Sequence, residues 1–162
     1  MNLQRHPLPE HRAGTTRSGD VEVFYRHCGH GGQTPCLILH GANYYDSVDW
    51  VGVASKLAHG REAAASDSRG YGESTWSANK DYSYDAQMAD TEALLDHFGW
   101  RKAVIIGASR GGGYAVLFAT HFPERVAGIV LVDYYPGAGV RHPGAPDELV
   151  AGVNRFFVKR GI

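Results

Sequence analysis

Along the chain the hydrophobic and polar positions switch between two periods. Val21-Glu22-Val23-Phe24-Tyr25 alternates as a half-exposed strand does, and the turn signal Ser18-Gly19-Asp20 before it predicts an N-terminal hairpin. Cys36-Leu37-Ile38-Leu39-His40 is instead a continuous apolar run stopped by Gly41, the pattern of a strand buried on both faces. Residues 48–58 predict a helix. The run Glu62-Ala63-Ala64-Ala65-Ser66 suits a helix by propensity. Its place between a helix and the turn-rich Asp67-Ser68-Arg69-Gly70-Tyr71-Gly72 argues for a strand. Tyr84, Met88, Thr91, Leu95 and Phe98 recur at helical spacing and predict a helix ending at Gly99. A strand over 102–106, a helix over 110–122 and a strand over 126–132 complete the repetition, which means a parallel sheet covered on both faces.

The two ends differ from this core. Residues 1–14, with Pro7 and Pro9, read as a loose arm, and 15–136 as the folded domain. In 137–162 a Gly- and Pro-rich loop precedes a final helix suggested by Leu149, Val150, Val153, Phe156 and Phe157. A length of 162 residues with 43% hydrophobic content suits one domain with a proper core. The net charge of -1 carries no basic surplus, so neither nucleic acid nor an anionic membrane surface is expected as a partner, and a small molecule is. With neither a signal-peptide core nor a bilayer-length apolar run, a cytoplasmic location is expected. Cys28 and Cys36 match no zinc spacing, so two half-buried free thiols are expected.

The candidate chemistry centres on GASRGGG at 107–113, a strand-to-helix turn holding one serine. It fits a nucleophile elbow, G-x-S-x-G, with Ser109 exposed on a tight turn. It also fits a dinucleotide loop, since such glycines let a pyrophosphate approach a helix N-terminus, and Asp133 closes the next strand where a ribose-binding acid belongs. A dinucleotide loop normally follows the first strand, however, and no tyrosine here has a lysine four positions on, as short-chain dehydrogenases require. Ser109 as a plain helix N-cap is the bland alternative.

Three segments in order, LILHGAN (37–43), DSRGYGES (67–74) and VIIGASRGG (104–112), resemble the α/β-hydrolase superfamily, of the fold-1 type, over about 15–136. The resemblance implies an α/β fold. Its mostly parallel sheet carries helices on both faces and an N-terminal antiparallel hairpin, with the last strands missing and 137–162 like the start of a lid. It implies a hydrolase acting on a small ester, lactone or related carbonyl compound through a serine nucleophile, without metal or organic cofactor. By resemblance Ser109 is the nucleophile, and the backbone N–H groups of Arg110 and Ala42, with Asn43 as alternative, form the oxyanion hole. His40 shapes the oxyanion loop, and Asp67, Arg69 and Gly72 form a bracing turn. Asp133 stands where a subset of the family places the triad acid, and His142 follows it in a loop, giving the order serine, acid, histidine. His97 and His121 suit helix ends, and Tyr44, Tyr45, Tyr134 and Tyr135 suit a pocket wall or core packing. Two other readings stay open: a catalytically weak hydrolase-like protein that forms a homodimer through an open sheet edge, and a dinucleotide binder.

Overall fold

The computed structural model describes residues 7–42 and 45–134. The N-terminal hairpin consists of β1 (Arg12–Ser18) and β2 (Val21–Gly29), joined at Gly19, whose φ of +57° suits glycine. β1 starts inside the stretch 1–14 read as an arm. Arg12 ties it down by donating from Nη2 to His27 Nδ1 at 2.8 Å and to the Gly29 carbonyl at 3.0 Å. The other strands are β3 (Gln33–Leu39), β4 (Arg61–Ser66), β5 (Ala103–Ala108) and β6 (Val126–Val132). The alanine-rich segment is therefore a strand, as its position between a helix and a turn-rich segment predicted.

The sheet order is β1-β2-β4-β3-β5-β6. β3, β4, β5 and β6 run parallel, while β2 is antiparallel to both β1 and β4. Burial on both faces follows from side chains that alternate along each strand. Cys36, Ile38, Ala63, Ala65 and Ile106 pack under Val51 and Ala54 of α1 (Val51–Leu57). Leu37, Leu39, Ala64 and Ile105 face the opposite side, against α2 (Tyr84–His97) and α3 (Arg110–His121).

Two helices depart from the pattern read in the sequence. The expected helix over 48–58 opens as a 3-10 turn over Ser47–Trp50, because Asp46 caps Val48 N while Asp49 reaches back to Asp46 N. On α2 the expected stripe is broken, since Tyr84 is exposed whereas Gln87 and Asp90 are buried. Asp90 is drawn inward by a partner described below.

Cys28 and Cys36 are free and fully buried. Both pair in register with Ala63 from opposite sides, so a whole strand separates them, roughly 10 Å and beyond the reach of a disulfide. Among the described residues no helix is long and apolar enough to cross a membrane, and no group of three His, Cys, Asp or Glu is placed to hold a metal ion. The final helix expected in 137–162 lies outside the described residues.

Candidate active site

The parallel strands deliver His40, Asp67, Ser109 and Asp133 to one edge of the sheet, each just past a strand's C-terminal end. That edge is where parallel α/β sheets place ligands, because the strand ends and helix N-termini meet there.

At Ser109 the chain turns from β5 into α3 with φ 47° and ψ -117°, a left-handed conformation that a serine rarely adopts. Its backbone N–H donates to Val132 O at 2.8 Å, and its carbonyl accepts from Gly112 N at 2.8 Å. The side chain makes no capping hydrogen bond, and the residue is exposed. The helix-cap alternative therefore finds no bond in its favour. Glycine is required on both sides of the turn. A Cβ at Gly107 would run into backbone atoms of Gly111 and Gly112, and one at Gly111 into the carbonyls of Leu39 and His40. Gly112 is likewise closed off, a Cβ there falling 2.5 Å from Tyr134 Cβ.

The loop after β3 lies against this turn, with a Cβ position on Gly41 only 3.5 Å from Ser109 Cβ. His40 holds the loop. It is buried, its Nδ1–H donates to Gly41 O at 2.6 Å and its Nε2 accepts from Ser68 N at 2.9 Å. Both ring nitrogens are thus committed to backbone, which fits a shaping role rather than proton transfer. Asp67, fully buried, braces the neighbouring turn through Oδ1 to Ser47 N at 2.6 Å and Oδ2 to Glu73 N at 2.8 Å. Gly72, at φ +50°, leaves room for that carboxylate.

Burial pushes the His40 imidazolium below its ordinary value of 6.5, and the same cause, reinforced by Arg12, acts on His27. Unfolded histidines then bind protons more readily than folded ones. Stability is fully present above pH ~6.5 and declines as pH falls from there toward the folded values. Urea midpoints at pH 7.5 and 5.5 should show that loss, and His40→Gln should flatten it. An unchanged slope in the variant would show that His40 does not contribute.

Asp133 also sits at positive φ, +52°, one residue beyond the Val132 carbonyl that holds Ser109 N. Its side chain is exposed. Ala42, partly buried, follows Gly41 beside the elbow. His121 Nδ1 bonds Leu117 O at 2.9 Å at the helix end, and His97 Nε2 pairs with Tyr25 Oη at 2.7 Å. Tyr134 packs over Gly112 and Tyr45 beside Gly41. Asn43, Tyr44, Tyr135 and His142 lie outside the described residues.

Sequence reasoning placed Arg69 in a bracing turn but missed its partner, and it missed the side chain of Arg110. Arg69 is buried and donates to both carboxylate oxygens of Asp90, at 2.8 and 2.6 Å, and to the carbonyls of Asp81 and Ala86. Its one signal was an aspartate among the apolar positions of α2. Arg110, next to Ser109, lays its guanidinium over the rings of Tyr71 and Tyr114, 4.4 and 5.6 Å from their centroids.

Comparison with known proteins decides what this arrangement belongs to. The family model described as alpha/beta hydrolase fold matches residues 34–159. The chain is an α/β hydrolase. It is 32% identical over 119 residues to epoxide hydrolase 4 of Mus musculus, covering 73% of this chain and 33% of that protein. It is 31% identical over 139 residues to a bifunctional esterase/perhydrolase of Acinetobacter calcoaceticus, covering 83% and 49%. The crystal structure of an alpha/beta hydrolase from Novosphingobium aromaticivorans superposes with a TM-score of 0.71 at 30% identity, covering 80% of this chain and 46% of that one. The chain of this α/β hydrolase thus spans half or less of the length of these relatives.

Proposed function

We propose that this α/β hydrolase cleaves a small ester, lactone or related carbonyl compound through a covalent acyl-Ser109 intermediate. The observation that carries the reading is Ser109 itself: exposed, uncapped and held at φ 47° between glycines that nothing larger could replace. In the proposed reaction Ser109 Oγ attacks the carbonyl carbon and gives up its proton to a base. The carbonyl oxygen becomes an oxyanion that accepts hydrogen bonds from the N–H groups of Arg110 and Ala42, the first at the positive end of α3. Collapse expels the alcohol, and water then releases the acid from the serine. Asp133 is the proposed acid and His142 the proposed base, following the chain order serine, acid, histidine. The relative from Acinetobacter, named an esterase/perhydrolase, supports ester chemistry on this scaffold.

A fluorophosphonate probe tests the reading directly. Attack by Oγ forms an O–P bond and expels fluoride, so the expected result is a single adduct that peptide mass spectrometry maps to Ser109. An intact protein that forms no adduct, or forms it elsewhere, overturns the proposal.

A further inference from the structure

Beside the elbow lies a cavity of about 570 Å³ whose lining includes Tyr71, Trp76, Tyr82, Tyr114, Gln87 and Arg110. Its walls are aromatic, and Arg110 is the cation on its lining that lacks a counter-charge. Arg69 also reaches the cavity but is neutralised by Asp90 at 2.6 Å. Arg110 forms no ion pair among the described residues, and only Nη1 has a partner, donating to Tyr71 Oη at 2.8 Å. Among the described residues, its Nε and Nη2 are buried without an acceptor. Buried donors are almost always paired in folded proteins, so two orphans on one guanidinium require an explanation. Among the described residues Arg26 Nε and His27 Nε2 also lack a hydrogen-bond acceptor, yet Arg26 already has Glu73 at 2.7 Å and His27 Nε2 stands 3.9 Å from Glu62.

Nε and Nη2 form one side of the guanidinium fork, and their two N–H groups point in parallel. That edge matches the two oxygens of a carboxylate. The residue as a whole is only partly buried, and it contributes to the cavity lining. We propose that the cavity is a substrate subsite for a carboxylate carried on a flat or apolar body, with Arg110 as the charge partner and the tyrosine and tryptophan rings as walls. The assignment as a substrate subsite rests on the reading of Ser109 as nucleophile, which Arg110 directly follows.

Two measurements separate the subsite from that reading. Binding of phenylacetate and of neutral phenylacetamide is compared by calorimetry on Ser109→Ala protein, which needs no turnover. Phenylacetate should bind at least tenfold tighter, Arg110→Met should erase the difference, and Arg110→Lys should keep part of it. Turnover of the monosuccinate and butyrate esters of 4-nitrophenol by the unaltered protein should favour the anionic ester, and Arg110→Met should collapse that ratio. No phenylacetate binding, equal binding of both compounds, or a preference that survives Arg110→Met overturns the subsite. Carboxylate preference without hydrolysis of either ester leaves the subsite standing and removes the nucleophile. Hydrolysis of both esters at equal rates does the reverse.

Discussion

Ser109→Ala is expected to lower turnover of a short nitrophenyl ester by roughly 10⁴- to 10⁶-fold, the usual cost of deleting an acyl-accepting serine. The same substitution should leave the urea midpoint almost unchanged, because alanine inherits the φ of 47° and no capping bond is lost. Ser109→Gly separates the two properties. A left-handed non-glycine residue costs roughly 1–3 kcal/mol, whereas the extra unfolded-state freedom of glycine costs about 0.5–1 kcal/mol. The glycine variant should therefore be inactive and more stable than the alanine variant by ~1 kcal/mol. That outcome would locate stored backbone strain at the proposed nucleophile, the trade of stability for activity expected of a catalytic turn. Equal midpoints for the two variants would show that the elbow is unstrained, and retained turnover in either would remove Ser109 from the reaction.

Most of the scaffold was legible because its signals are local. The uninterrupted run at 36–40 predicted burial on two faces, and β3 does send Leu37 and Leu39 to one side and Cys36 and Ile38 to the other. The glycines of GASRGGG predicted a turn without room for side chains, and the closed approaches at Gly107 and Gly111 are its physical content. What the sequence hid depends on contacts between distant segments. Asp90 lies among apolar positions of α2, and its role comes from Arg69, which reaches it from a distant loop. Likewise nothing in the sequence beside Arg110 marks its side chain, as opposed to its backbone N–H. Its surroundings come from Tyr71, far away in the chain, and Tyr114, one helical turn on. A propensity argument also missed the 3-10 start before α1, since the reciprocal Asp46–Asp49 cap tightens that turn.

The Arg69–Asp90 pair carries the largest expected stability effect. Both side chains are buried and the contact is two-pronged, and the hydrogen bonds that Arg69 donates to Asp90 raise the Arg69 pKa further. Asp90→Ala would leave a guanidinium shielded from water with only the Asp81 and Ala86 carbonyls as acceptors. Removing one partner of a buried pair typically costs about 3–5 kcal/mol, far more than the pair itself contributes relative to an apolar replacement. For a chain of this size, that corresponds to a fall in Tm on the order of 10 °C. Replacing both partners with apolar residues of similar volume, Arg69→Met with Asp90→Leu, should recover much of the loss, because no charge is then stranded. A full double-mutant cycle by urea unfolding measures the coupling. The consequence reaches the site, since Arg69 anchors the turn whose next residues, Gly70, Tyr71 and Gly72, line the cavity under Arg110. A destabilisation below about 1 kcal/mol would place the pair with surface ion pairs and remove the anchoring role.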